Sequence, residues 1–218
     1  MKIINIGSQN SILNHFIQEI RDVSVQKDSL RFRRNIERIG EVFAYEISKK
    51  LTYIDREITT PLGISKERLI ESKPVLSTIL RAGLPLHQGL LNYFDQADNA
   101  FISAYRKHTT KIDFDVHIEY LSSPNINNRE VILCDPMLAS GSSMILALKA
   151  LKTKGIPKHV HIVSVIASSK GLDYIRNNIC VNNYTVWIGA EDKEMTKESY
   201  IVPGLGDAGD LAFGQKKD

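Results

Sequence analysis

Apolar residues in the first fifty positions recur at the three- and four-residue intervals of a helix. Ile12, Leu13, Phe16, Ile17 and Ile20 predict a short amphipathic helix, with Asn10 or Ser11 as its capping candidate. A longer helix follows from about Ser29 to Leu51, with Ile36, Ile39, Phe43 and Ile47 on one face. The pattern then changes to TYIDREIT, a Thr-Pro-Leu-Gly break and KERLIES, which reads as a β-hairpin arm between Tyr53 and Glu71. Such arms often pack on a second subunit. PVLSTIL (Pro74 to Leu80) is a buried strand that ends in the turn Arg81-Ala82-Gly83, and a helix from Leu84 to Phe94 returns over the sheet. Asn99 to Tyr105 is the next strand, ending at Arg106. The polar stretch from Lys107 to Asn128 has the length of a mobile lid or a β-excursion.

The stretch VILCDPMLASGSS (Val131 to Ser143) carries a β-rich apolar run into an acidic residue, then turns through small and hydroxyl residues into the helix MILALKALKTKG. That helix stops at Gly155-Ile156-Pro157. A strand (Val160 to Ala167), a helix (Lys170 to Asn178) and a strand (Tyr184 to Ala190) complete the pattern. Strands alternating with helices predict an α/β fold with a doubly wound, mostly parallel sheet. Ligands of such sheets sit outside the carboxyl ends of the strands. Arg81, Arg106 and Asp135 each follow a predicted strand, so they are expected to converge on one crevice.

Composition narrows the class without naming the chemistry. At 218 residues, 43% apolar and 24% charged, the chain is expected to form one soluble globular domain. A net charge of +3 neither implies nucleic acid nor repels a phosphorylated substrate. Cys134 and Cys180 give no metal set and suit a reducing cytoplasm, with Cys134 packing as a small apolar residue at a strand end. No run of about 18 apolar residues suggests a membrane span, and the amino terminus is too polar for a signal-peptide core, so a cytoplasmic protein is expected. The six histidines show no metal-ligand spacing; His159 and His161, alternating at a strand start, are expected to face solvent.

Two stretches carry candidate chemistry. The backbone N–H groups from Ala139 to Ser143 would point at an anion with a helix dipole behind them, with hydroxyls of Ser140, Ser142 and Ser143 adding donors. Gly141 has no Cβ, so the main chain can approach a phosphate closely. Ser-Gly-Ser before a helix is equally an ordinary cap. The absence of Lys argues against a triphosphate P-loop, and Asp135 suits ribose hydroxyls or a hydrated metal. The second stretch, YIVPGLGDAGDLAFG (Tyr200 to Gly214), is too rich in glycine for a simple helix or strand. It reads as a surface loop or as a wall offering main-chain groups to a planar ligand. A backbone N–H beside a C=O matches the carbonyl and ring N–H of uracil and rejects cytosine, whose exocyclic amine reverses the pattern. Arg31, Arg33, Arg34 and Arg38 open the second helix as either a solvated basic face or an anionic effector surface.

ILRAGL (Ile79 to Leu84), Tyr105-Arg106, DPMLASGSS and YIVPGLGDAGDLAFG together resemble the uracil phosphoribosyltransferases of the type I phosphoribosyltransferase fold, from Arg31 almost to the carboxyl terminus. The resemblance implies one domain over residues 1–218: N-terminal helices and β-hairpin arm (1–73), α/β core (74–190) and a Gly-rich base-binding hood (191–218). It implies transfer of ribose 5-phosphate from phosphoribosyl pyrophosphate (PRPP) to N1 of uracil, giving UMP and pyrophosphate, with Mg²⁺ on the PRPP and no protein ligand of the metal assigned. Arg81 and Arg106 would lie on the pyrophosphate side, and Asp135, Pro136, Met137, Leu138, Ala139, Ser140, Gly141, Ser142 and Ser143 on the ribose and 5-phosphate. Ile201, Gly206, Asp207 and Ala208 would contact uracil. Asp207 would also reach the PRPP site, orienting metal-bound water or accepting from uracil N1–H; Arg106, Asp135 and Asp207 are the catalytic candidates. Many members are dimers or tetramers and some are activated by GTP. Ser140 and Ser142 depart from the usual Thr and Gly, and Lys107-His108 from a usual Asn-Glu. The rival class is a pyrimidine-responsive RNA-binding regulator on the same fold, which the complete PGLGDAGD wall disfavours.

Overall fold

A computed structural model of the chain describes residues 1–108 and 114–215; the side chains of residues 104–117 lie outside the described set. The chain begins with an edge strand, β1 (Lys2–Asn5), and two helices, α1 (Leu13–Arg21) and α2 (Ser29–Ser48). The arm follows as β2 (Tyr53–Thr60) and β3 (Gly63–Ile70), then β4 (Val75–Leu80), α3 (Leu84–Tyr93), β5 (Asp98–His108) and β6 (Phe114–Ser122). The second half holds β7 (Glu130–Cys134), β8 (Met137–Leu138), α4 (Ser142–Lys152), β9 (His159–Ser168), α5 (Ser169–Asn178) and β10 (Tyr184–Asp192). The chain closes through β11 (Glu194–Met195), β12 (Ile201–Val202) and α6 (Ala208–Phe213).

The main sheet has the order β1-β10-β9-β7-β4-β5-β6, with β8 pairing β9. Its pairings are parallel except β5 with β6. Strand order therefore reverses between β4, which leads outward to β5, and β7, which leads the other way to β9. That is the switch point at which open α/β sheets part their loops.

Both faces of the sheet are covered, which is why its central strands read as continuous apolar runs. Ile132 and Cys134 of β7 point into a cluster with Ile36, Ile39 and Phe43 of α2, Leu86 and Leu90 of α3, and Ala208 and Ala212 of α6. Val131 and Leu133 point the other way, to Met144, Ile145 and Leu148 of α4 and Leu172 and Ile175 of α5. Burial pushes the Cys134 thiol up to about 12, so it packs as an apolar group, as the sequence predicts.

Four features differ from the sequence expectation. The strand β1 has only four residues and was hidden by its polar neighbours; it forms by pairing in parallel with Thr185 to Ile188 of β10. β5 runs on past Tyr105 to His108 and β6 returns antiparallel, so the polar stretch opens as a β-excursion; residues 109–113 lie outside the described residues. The Gly-rich stretch contains a real if short helix, α6. His161 is 2% exposed rather than solvated, because Trp187 Nε1–H donates to its Nδ1 at 3.1 Å, Glu130 lies 3.5 Å from its Nε2, and the His159 ring stands 4.7 Å away. Burial works to raise the Glu130 carboxyl, but the facing His161 ring and Lys158 ammonium outweigh it and leave the group below its usual value. Burial likewise holds His159 below the usual imidazole value.

The α2–α3 contact is backbone on backbone. A Cβ on Gly89 would overlap the Glu37 carbonyl oxygen, and one on Gly40 would stand 2.5 Å from the Leu86 oxygen. Gly89→Ala gains about 1 kcal/mol in helix propensity, but overpacking against main chain that cannot give costs about 3 kcal/mol. Thermal unfolding should show a lower melting temperature, by roughly 5 °C; an unchanged or raised midpoint would mean that the two helices can separate freely. Thiol titration supplies a second check. Native protein should react at one cysteine, the half-buried Cys180, and at both only after unfolding.

Candidate active site

The arginine turn after β4 is built on a tight turn. Gly83 N–H donates to the Ile79 carbonyl at 3.0 Å, and a Cβ on Gly83 would stand 2.6 Å from that same oxygen and 3.2 Å from the Cys134 carbonyl at the end of β7. The turn thus lies against the start of the phosphate-loop candidate. The Leu80–Arg81 peptide is cis. The Arg81 guanidinium reaches over to α6, donating to the Gly214 carbonyl at 3.3 Å and lying 3.6 Å from Asp210 Oδ1.

Asp135 continues β7 by donating its N–H to the Val163 carbonyl at 3.1 Å, and its Oδ1 accepts from Met137 N–H at 3.3 Å. Pro136 and Leu138 are buried, whereas Asp135, Met137, Ala139 and Ser140 are half-buried along the rim. Gly141 has φ +83, in the left-handed region, immediately before α4. A Cβ there would stand 3.0 Å from the Gly171 carbonyl and 3.1 Å from the Tyr174 ring, so glycine is demanded by both conformation and space. Ser142 begins α4 and accommodates its Cβ in helical geometry, its Oγ lying 2.8 Å from Ser140 Oγ. The first N–H groups of α4 have no helical acceptor, and that of Ser142 reaches Ser140 Oγ at 3.5 Å. This is the loop in which the sequence predicts an anion cradle.

Two serines that sequence reasoning passed over hold the cradle from beneath. Ser164 Oγ donates to the Asp135 carbonyl. Ser168 Oγ donates to the Ala139 carbonyl at 2.6 Å while accepting from Gly171 N–H at 2.8 Å to cap α5. Both are 0% exposed. Ser168 had a signal: a Ser three residues before Gly171 where an apolar strand gives way to a helix.

The hood closes the third side. Ile201 is 4% exposed and anchors β12 in the core; Gly206 (φ +92) and Asp207 are exposed, and Ala208 is buried. A Cβ on Gly209 would stand 3.8 Å from Ala82 Cβ, so the hood abuts the arginine turn. Asp207 is not an unattached loop residue, as the sequence suggested, but the N-cap of α6: its Oδ1 accepts from Asp210 N–H at 2.9 Å. Arg81, Asp135 to Ser143 and the 206–208 segment are thereby brought to one edge of the sheet, around the β4/β7 switch. Arg106 lies within β5 opposite Val116, not after the strand; its side chain and those of Lys107 and His108 lie outside the described residues. Among the described residues no group of three or more His, Cys, Asp or Glu side chains could hold a metal ion.

The basic start of α2 is internally matched. Arg31 bonds Glu19 at 2.6 Å, Arg34 bonds Glu37 at 2.6 Å, Arg33 donates to the Ala212 carbonyl at 2.7 Å, and Arg38 lies over the Phe16 ring.

Residues 7–215 match the family model described as uracil phosphoribosyltransferase. A uracil phosphoribosyltransferase from Porphyromonas gingivalis is 59% identical over 216 residues, covering 99% of this chain and 100% of that protein. One from Methanothermobacter thermautotrophicus is 38% identical over 193 residues, covering 88% and 87%. A solved structure of an Aquifex aeolicus protein superposes with a TM-score of 0.86 at 26% identity, covering 97% of this chain and 98% of that one. The match to the family model over residues 7–215, with 59% identity to a relative over nearly the full length, makes this chain an enzyme of the uracil phosphoribosyltransferase family.

Proposed function

We propose that the crevice over β4 and β7 transfers the 5-phosphoribosyl group of PRPP to N1 of uracil, giving UMP and pyrophosphate. The observation that carries this reading is the placement of the Arg81 turn and the 135–143 loop on either side of the switch point with the 206–208 backbone beside them. In the reaction, C1 of the ribose becomes cation-like while negative charge builds on the leaving pyrophosphate. Catalysis is then chiefly positioning and charge stabilisation.

Asp135 holds the ribose hydroxyls, and the main chain and hydroxyls from Pro136 to Ser143 enclose the 5-phosphate. Arg81 and Arg106 supply forked donors to the pyrophosphate. Arg81 first has to leave Asp210 and the Gly214 carbonyl; at 41% exposure that exchange costs little. Ile201, Gly206, Asp207 and Ala208 form the uracil wall, with Asp207 reaching toward PRPP as well. The carboxylates of Asp135 and Asp207 offer hard oxygens without forming a closed cage, which fits a Mg²⁺ that arrives on the PRPP oxygens and keeps much of its water. When bound, that ion would neutralise charge on the departing pyrophosphate.

The arm supports a homo-oligomer, since Ile58, Leu62, Ile64 and Leu69 are exposed on its two strands and turn. No helix among the described residues is long and apolar enough to cross a membrane, and with two free cysteines we assign the chain to the cytoplasm as a single domain.

The deciding assay follows UMP and pyrophosphate from PRPP, Mg²⁺ and labelled uracil, with cytosine, orotate, adenine and hypoxanthine in parallel, each with and without GTP. Uracil alone should turn over, and the GTP lanes report any activation. Tight UMP or PRPP binding with no turnover of any base would instead move the weight to the RNA-binding regulator, for which salt-dependent RNA binding that changes with UMP is the test. Asp207 can be tested separately from its capping role. Asp207→Ala removes the cap and costs about 1 kcal/mol of stability. Asp207→Asn keeps a capping oxygen, yet turnover should fall by about two orders of magnitude with the melting temperature nearly unchanged; near-normal kinetics would remove the carboxylate from the mechanism.

A further inference from the structure

We propose that Arg21 and Asp192, outside the crevice, are positioning residues that fix the base-binding segment of the hood and thereby set affinity and selectivity for the base. The inference rests on the assignment of residues 206–208 to uracil. Asp192 ends β10 and is 7% exposed. Its Oδ2 accepts from Arg21 Nη1 at 2.8 Å and from Gly204 N–H at 2.9 Å, and its Oδ1 accepts from Arg21 Nη2 at 2.9 Å. Arg21 Nη1 also donates to the Gly204 carbonyl at 2.9 Å. The N–H and the C=O of Gly204 are both fixed in one ring of charge-assisted bonds, two residues before Gly206. The partners come from α1 and β10, 171 positions apart in sequence.

Ile201 and Leu205, each 4% exposed, seat the flanks of this turn in the core, but Gly204 between them has no side chain to pack. An open cavity of about 570 Å³, lined in part by Asn14, Gln18, Arg21 and Ala190, lies on the α1 side of the clamp. Gly204 has φ +54, and a Cβ there would run into the Ile201 carbonyl, so the turn is too tight for a side chain of its own to anchor it. The peptide groups of Gly204 itself are held by the directional bonds of the clamp. Reading uracil through main-chain groups requires them to stay within about 0.5 Å of their positions, and a bidentate Arg–carboxylate pair anchored at the end of a sheet strand supplies that rigidity. Asp192 pairs in register with Ser168, which holds the phosphate cradle. Adjacent strand ends thus carry the supports of both loops.

Lys at position 21 keeps the charge but cannot bridge both carboxylate oxygens and the Gly204 carbonyl; Asn at 192 keeps the size but gives up an acceptor. Arg21→Lys and Asp192→Asn should each raise KM for uracil about tenfold, leave KM for PRPP within about twofold, and narrow the uracil-over-cytosine preference. Arg176→Ala, which removes an exposed surface charge on α5, should change none of these. Hydrogen exchange on the ligand-free proteins provides the independent readout. In the clamp variants, amides of Gly204 to Gly206 should exchange about tenfold faster while those of β9 and β7 do not. Equal changes in both KM values, or unchanged exchange at Gly204 to Gly206, would overturn the clamp. Failure of the wild-type protein to turn over uracil would overturn the site assignment instead, and the exchange data would still decide whether Arg21 and Asp192 hold the hood.

Discussion

A parallel sheet delivers the carboxyl ends of its strands to one edge, and where strand order reverses the connections leave in opposite directions and open a gap. Here the gap lies between β4 and β7. Because β4 ends in the Arg81 turn and β7 in Asp135, the reversal brings the Arg81 turn and the 135–143 loop to the same gap. At the start of α4 the Ser142 N–H has Ser140 Oγ as acceptor, and the remaining first-turn N–H groups have no helical partner.

A crevice of this kind works only if its rim is stiff. The rim is irregular backbone, and irregular backbone must find hydrogen bonds outside regular ladders. Ser164 and Ser168 supply them for residues 135–139, and Asp192 with Arg21 supplies them for Gly204. All but Arg21 stand in β9 or β10, so two adjacent strands of the sheet carry the supports. The hood is further tied to the N-terminal helices through Arg33 and the Ala212 carbonyl, so the segment preceding the arm contributes to the site without entering it.

Position along the chain misjudges several residues for a single reason: an environment is made by neighbours distant in sequence. His161 alternates with His159 at a strand start and suggests a solvated edge, but β1 and β10 extend the sheet beyond β9 and bring Trp187 against it. Asp207 in a run of glycines suggests loop, but Ala208, Leu211 and Ala212 turn toward the α2–α3 cluster and close a helical turn that the aspartate caps. The arginines that open α2 read as either a solvated face or an anion site, and neither reading foresees that α1 folds back to present Glu19 to Arg31.

The sequence by itself determined the alternation of strands and helices, the arm, the tight turn into α4 with its obligatory Gly141, and the motifs that mark the family. These are legible because they depend on local chemistry: side-chain period, strand-end residues, and glycine where a Cβ cannot stand. Tertiary structure alone decided where the strand order reverses, that KIIN is a strand, that Ser164 and Ser168 lie under the cradle, and that Arg21 meets Asp192. Each of these is a pairing between segments far apart in the chain. Local pattern fixes what a segment can be, and only the packed sheet fixes which segment it meets.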